Sequence, residues 1–512
     1  MSTSQRVIKN TIFLYIRMVI SILVNVFTTR LLLEALGASD YGLYNVVGGA
    51  IAMMGFLTAS MSSATQRFIS YAEGEGSIDK VKEIFCNAQI LHYGLALISI
   101  ILLVSAGFIF FNGVLNIPSG RELTAIFVYG CLVFSTVFSI IVVPYDAVLN
   151  AHENMKIYSV IGIVDILLKF VIAFTVYYYK ADRLIFYAVL MALESWLLRF
   201  ITKLYCKKHY DECHKAELKR YYAKDTIRSM TTFAGWNMVN VACGMISLFG
   251  MSLVVNHFFD TKVNAALGIA TQLSGVLMTV STNMIKALTP VLVKREGEHN
   301  RKQVLDITYV GCKFSFLLFS FFCIPILFYL NSILELWLHT VPDWTGSFCG
   351  LLIVGTLIEQ LTVFIYQAIS AQGEIREYSV VKGIIYLFPI VSSIIMFMLD
   401  NFSPYWALLN WILYKMVIGG IVNIYYGYKK VGLSLQQFIG KVLLPCFWVM
   451  ILTGGVAIGI HVLFINTFWG WNFLLCMLLS IPIYYMFGLT SKEKKIICEY
   501  IKKSIRNNKL VL

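Results

Sequence analysis

Charge is scarce in this chain. Only 13% of its 512 residues are Asp, Glu, Lys or Arg, about half the share usual in a soluble domain. That shortage excludes an ordinary water-soluble protein. Long polar stretches are missing too: the longest connection, roughly 207–229, is short and basic, so no soluble domain is expected. Alternation of apolar and polar residues with a period of two is absent, which argues against a transmembrane barrel. No Walker loop, serine-centred nucleophile motif or helical metal-ligand pattern is present, so the chain is expected not to be an enzyme. The eleven cysteines lack the paired spacing of a disulfide framework. One cluster, Cys206, His209, Cys213 and His214, has irregular spacing in a lysine-rich loop, a poor match to the four-ligand geometry of zinc. No metal and no cofactor are expected.

What fills the chain instead is hydrophobic sequence, 58% of all residues. A helix needs about 20 mostly apolar residues to cross a bilayer. By that measure about fourteen spans are expected, at 10–35, 41–69, 84–112, 123–149, 157–179, 184–206, 230–259, 263–291, 304–330, 344–371, 379–399, 405–427, 438–464 and 468–489. The first apolar run is too long for the core of a cleavable signal and lacks a small-residue cleavage site. It is expected to remain as an anchor. In hydrocarbon every backbone group must bond internally, so the fold class is all-α integral membrane protein.

Net charge is +13, and the cations are unevenly placed. With the N-terminus inside, basic residues crowd the inner connections, Lys382 counted among them. Only Arg121, Lys180, Arg183 and Lys262 fall outside. This bias predicts a multi-pass protein with both termini in the cytoplasm. A basic tail beside an anionic leaflet is explained by membrane lipids, and no nucleic-acid partner is expected.

The second half echoes the first. Glu73-Gly74-Glu75 recurs as Glu296-Gly297-Glu298, and Tyr158-Ser159-Val160 recurs as Tyr378-Ser379-Val380, at offsets of 223 and 220 residues. Two six-helix bundles related by a parallel repeat, plus two C-terminal helices, are expected. The domain plan is 1–206 for the N-terminal bundle, 207–229 for a cytoplasmic basic loop and 230–427 for the C-terminal bundle. It continues with 428–489 for two additional helices and 490–512 for a basic cytoplasmic tail.

Polar residues inside the spans mark candidate sites, because ionisable groups in a membrane usually face a bundle interior or a watery cavity. On a helical wheel Arg17 shares a face with Asn10, Ser21 and Thr28, while Arg30 lies nearly opposite, four residues before Glu34. The second span carries a small and polar stripe of Asn45, Gly48, Gly49, Ala52, Ala59, Ser63 and Gln66. The eighth carries Asn264, Gly268, Thr271, Gly275, Thr279, Thr282 and Lys286 on one side, with Gln272 beside it. Hydroxyls and amides at this density suit sugar hydroxyls, and they also suit close helix packing. Asp165 and Lys169 are four apart, the spacing of an internal ion pair. Asp146, Asp165 and Glu359 are the candidates for coupling to an H+ or Na+ counter-ion.

The run from Thr28 to Gly49, Thr-Thr-Arg-Leu-Leu-Leu-Glu-Ala-Leu-Gly-Ala-Ser-Asp-Tyr-Gly-Leu-Tyr-Asn-Val-Val-Gly-Gly, resembles the opening of bacterial polysaccharide flippases. These belong to the multidrug/oligosaccharidyl-lipid/polysaccharide exporter superfamily. The resemblance implies two bundles that alternate between inward- and outward-facing states. It implies an undecaprenyl-diphosphate-linked oligosaccharide as cargo, moved across the bacterial inner membrane for surface polysaccharide assembly, with assembly proteins as partners. Basic residues lining a cavity hold the cargo in that family. Arg17, Arg30 and Lys286 are the positions here that fit the description, and Asn45, Thr271 and Gln272 complete the candidate substrate-binding set. Two other readings remain: a cation-coupled small-molecule or drug exporter of the same fold, and a membrane glycosyltransferase or polymerase relying on outer-loop acids such as Glu335 or Asp343.

Overall fold

The computed structural model describes residues 3–52, 55–114, 117, 120–214, 218–338, 340–400, 402–464, 467–495 and 498–499. Most of the expected basic tail, and the side chains of Gly49 and Ala52, lie outside the described residues. Among these the chain is almost entirely helical, with no strand. Twelve described helices are long and apolar enough to cross a membrane, thirteen if one bent pair counts as a span. The chain is a multi-pass, all-α membrane protein.

In order, the helices are α1 (Thr3–Ala52), α2 (Gly55–Glu75), α3 (Ile78–Ile109), α4 (Glu122–Ala151), α5 (Met155–Tyr178), α6 (Arg183–His209), α7 (Asp211–His214), α8 (Lys224–Phe258), α9 (Thr261–Gly297) and α10 (Arg301–Phe328). Then come α11 (Leu330–Leu338), α12 (Thr345–Gln360), α13 (Val363–Gln372), α14 (Arg376–Leu399), α15 (Tyr405–Ile412), α16 (Gly419–Tyr426), α17 (Leu435–Phe438), α18 (Leu444–Leu463) and α19 (Trp469–Ile483). A π-helical stretch, Leu413–Ile418, joins α15 to α16.

The expected fourteen spans differ from this in one place. The connection expected between the spans 10–35 and 41–69 is only a break at Gly37, where φ is +75°. That is a left-handed conformation which a side chain disfavours and glycine accepts. The apolar run 41–69 is thereby divided between the end of α1 and α2, and α2 is too rich in polar residues to qualify as a span by itself. The bent pair is α12 and α13, which meet at 45°.

The chain separates into two compact units, Asn10–Met238 and Val239–Leu512, the latter together with Met1–Lys9. The N-terminal unit has two apolar clusters. One gathers Leu32, Leu43, Val47, Val128, Ile172 and Val176, and the other gathers Ile69, Phe85, Val142, Tyr145, Leu149 and Met230. Cys206 and Cys213 are buried in the second cluster, and His209 and His214 face the backbone carbonyls of Tyr205 and Lys207. Two of the four cations expected outside, Arg121 and Arg183, are tied into this unit. Arg121 bridges Asp40, just past the Gly37 break, and Asp182, at 2.5 Å for the latter. Asp182 also caps α6 by accepting from the amides of Leu184 and Ile185. Arg183 donates to the carbonyl of Ala35 at 2.8 Å.

At another edge of the same unit an imidazole joins three helix ends. His152 follows α4 and faces Glu73 of α2 through Nδ1 at 2.8 Å and Glu212 of α7 through Nε2 at 2.6 Å. The ring of Tyr210 stacks on it at 4.3 Å. Burial acts to lower the pKa of His152. Hydrogen bonds to Glu212 and Glu73, and their negative charge, outweigh burial and raise it from 6.5 to about 9. Protonated His152 therefore stabilises the fold fully below pH 6.5, and that contribution is lost as pH rises through about 9. Replacing His152 by Gln is expected to lower stability by on the order of 2 kcal/mol at about pH 6, allowing for solvent screening, and by much less at about pH 10. Thermal unfolding of the detergent-solubilised pair across that range checks this; a gap that stays constant with pH contradicts the imidazolium clamp.

Candidate functional site

Along α4, α5 and α6, the N-terminal unit interrupts its two apolar clusters with a polar cavity of about 430 Å³. Arg17 of α1, Asp146 of α4, Asp165 and Lys169 of α5, and Glu194 and Arg199 of α6 line it. Three cations and three acids thus share one space. On α5, Tyr158, Gly162, Asp165 and Lys169 are spaced three or four apart, which puts them on one face.

Arg17 enters from α1 and is seated on α5. Its guanidinium carbon lies 4.8 Å from the centroid of the Tyr158 ring, a cation–π contact. One turn on, Gly162 presents bare backbone to the same guanidinium, and a β-carbon there would overlap it. Glycine at 162 is what admits the arginine.

The acids are paired with the other cations. Asp165 accepts from Lys169 Nζ at 2.8 Å, and Asp146 lies 3.5 Å from Arg199 Nη1. The carboxyl of Glu194 shares the cavity with these pairs. With all six groups ionised the formal charges balance, and a proton on any one carboxyl would leave one positive charge. Arg199 Nε and Glu194 Oε1 are buried without a hydrogen-bond partner, polar capacity that a bound molecule can use.

The other expected residues lie elsewhere. Arg30 sits in a separate apolar groove of about 520 Å³ with Phe27, Phe170 and Phe174. It is largely exposed and pairs with Glu34 at 3.2 Å. Asn45 is exposed and donates to the carbonyl of Tyr41 at 2.9 Å. On α9 the hydroxyl of Thr271 donates to the carbonyl of Gly268. Gln272, Thr279, Thr282 and Lys286 are exposed along that helix. Glu359 lines a small cavity of the C-terminal unit. Within the N-terminal unit the structure joins Arg17, Asp146 and Asp165 at one cavity and sets Arg30 and Asn45 apart from it.

Sequence reasoning missed Glu194 and Arg199. Both lie in the expected span 184–206, and their five-residue spacing suggested no pair. Lys382, counted with the inner connections, is instead buried within α14 at 4% exposure. Lys313 is buried on α10, paired with Glu493 at 2.6 Å.

No family model and no curated protein matches the chain. Solved structures share its fold. A MATE in complex with MaD3S aligns with a TM-score of 0.71 at 15% identity, over 84% of this chain and 97% of that one. A MOP superfamily transporter from Pyrococcus furiosus Vc1, for which reversed polarity of the binding pocket suggests a different function, aligns with 0.69 at 15% identity, over 83% and 96%. An outward-facing multidrug resistance MATE family transporter of the MOP superfamily gives 0.66 at 16% identity, over 83% and 96%. At such identity the likeness is one of fold: the chain has the fold of MATE transporters of the MOP superfamily.

The seat of Arg17 is open to test by a double-mutant cycle. Gly162→Ala is expected to expel the guanidinium and cost about 0.5–2 kcal/mol, the range of a partly desolvated cation–π contact. In an Arg17→Ala background the same glycine change is expected to cost nothing or to stabilise slightly. Additive melting losses in the two backgrounds contradict the seat.

Proposed function

We propose that this chain is a transporter that flips an undecaprenyl-diphosphate-linked oligosaccharide across the bacterial inner membrane for surface polysaccharide assembly, by alternating access. The observation that carries the reading is Arg17, held by Tyr158 and Gly162 at the wall of a polar cavity with Lys169 and Arg199. A planar guanidinium fixed in orientation suits the oxygens of a diphosphate. A charge kept in hydrocarbon at such cost is more readily explained by an anionic cargo than by packing. Lys286 and the exposed hydroxyls of α9 are read as a second contribution, for the remaining phosphate charge and the sugar. Arg30, Asn45, Thr271 and Gln272 stay in the substrate-binding set as the outer contributors. The termini are read as cytoplasmic, and membrane lipids and polysaccharide assembly proteins as partners.

Asp146 and Asp165 supply the coupling in this reading, with H+ as the counter-ion. The carboxyl groups beside Arg17 are read as the proton site: proton occupancy alters the charge balance that an anionic cargo meets, which links the two. Glu359 is a coupling residue only in the C-terminal unit.

The same acids favour a second reading, a cation-coupled small-molecule exporter of this fold. The two readings separate in proteoliposomes. Under the first, Arg17→Ala with Lys286→Ala lowers translocation of the lipid-linked oligosaccharide by about tenfold or more, the loss expected for a charge-assisted contact of about 1.5–3 kcal/mol. Wild-type rates in that double variant remove the cation clamp. Export of lipophilic cations by a wild-type protein that leaves the glycolipid unmoved establishes the second reading instead. Glu194→Gln, which removes one titratable carboxyl from the cavity at constant volume, is expected to preserve glycolipid binding while flattening the pH dependence of transport. An unchanged pH profile assigns the coupling proton elsewhere.

A further inference from the structure

The C-terminal unit holds an enclosed polar site of its own, about 110 Å³ and lined by Asn240, Glu359, Tyr366, Lys382, Lys415 and Asn423 among others. Its centre is the ammonium of Lys382. Nζ donates to the backbone carbonyl of Gly419 at 2.6 Å and to Oδ1 of Asn423 at 3.0 Å. The rings of Tyr386 and Tyr378 flank it at 5.4 and 5.9 Å.

Both oxygens are held in place. Asn423 Oδ1 also accepts from the Tyr378 hydroxyl at 2.8 Å, and the Asn423 amide donates to Thr362 Oγ1 at 3.1 Å. Thr362 sits at the break between α12 and α13. Gly419 directly follows the π-helical stretch Leu413–Ile418, where the regular ladder is interrupted. A β-carbon at 419 would stand 2.8 Å from the ammonium nitrogen, so glycine keeps the place open. One nitrogen thus ties together α14, α16 and the broken α12–α13 pair.

Interrupted membrane helices expose carbonyl oxygens, and in transporters such carbonyls bind monovalent cations. A backbone carbonyl, an amide oxygen and a nearby carboxylate are hard donors suited to an alkali ion. We infer that this cluster is a monovalent-cation site whose resident cation is the chain's own Lys382 ammonium. The tethered ammonium takes the position that a Na+ or K+ ion fills when the same oxygens have no lysine. The C-terminal unit therefore needs no alkali ion from solution, and removing the ammonium opens the site to one. This holds whichever cargo is carried.

The test uses the full-length protein in detergent, melted in sodium, potassium or N-methyl-D-glucamine chloride at constant ionic strength. Lys382→Ala is expected to melt below wild type in the organic cation. It is expected to recover part of the loss on addition of Na+ or K+, with saturation and beyond any response of the wild type. An alkali response in Lys382→Ala no greater than that of wild type overturns the inference. If the alanine variant does not fold, Lys382→Ser, which likewise removes the ammonium and leaves the oxygens of Gly419 and Asn423 open, is read in the same way and with the same two outcomes.

Discussion

The guanidinium of Arg17 rests on the ring of Tyr158 and against the bare backbone of Gly162. An ion in a low-dielectric interior costs several kcal/mol unless its charge and its hydrogen-bond donors are answered nearby. Much of the N-terminal unit can be understood from that demand. Arg17 needs a face to lie on, hence Tyr158. It needs space, hence Gly162. It needs opposing charge within range, hence Asp146, which lines the same cavity. Asp146 and Arg199 then tie α4 to α6, and Asp165 pairs with Lys169 along α5. Each new ion is stabilised by the last, and together they hold open a cavity between two apolar clusters that would otherwise close.

The C-terminal unit meets the same demand with different parts. Tyr158 and Tyr378 are 220 residues apart and open corresponding helices, α5 and α14. At the same offset Gly162 corresponds to Lys382. In one copy the tyrosine faces a cation delivered by another helix across a glycine. In the other the cation is attached to the tyrosine's own helix, and a glycine on the neighbouring helix, Gly419, makes the room. The repeat has kept a tyrosine beside a buried positive charge and exchanged which helix provides it. That explains why the lysine is so deeply buried with no carboxylate in direct contact: carbonyl and amide oxygens substitute for an ion partner.

Much of the architecture was legible because its causes are local. Long apolar runs dictate helices in a membrane, and the EGE and YSV echoes mark the ends of corresponding helices. The facing of Arg17 and of Asp165 with Lys169 also followed from helical spacing alone. Three features did not. Gly37 breaks α1 without ending it, because a single left-handed residue changes direction while leaving the hydrogen-bond pattern on either side intact. Glu194 and Arg199 have no helical-neighbour signal toward each other; the charged groups that share their cavity are on other helices, and a wheel describes one helix at a time. Lys382 was read as a loop cation because basic residues near span ends usually are, and the oxygens that receive it come from a π-helical junction. Such a junction adds a residue to the turn, so a wheel drawn at 100° per residue loses register across it.

The two cavities differ in a way that bears on mechanism. The N-terminal one is roomy, about 430 Å³, and brings three carboxyl groups together. The C-terminal one is about 110 Å³, and its cation is covalently part of the chain. An ion that can leave is able to couple to a gradient; one that cannot leave can only fix geometry. A coupled transporter needs a state change that is linked to ligand occupancy, and linkage requires a group whose occupancy varies. On the proposed reading that group is a carboxyl of the N-terminal cavity, whereas the ammonium of Lys382, tied to the chain, fixes the arrangement around the broken helix of the C-terminal unit.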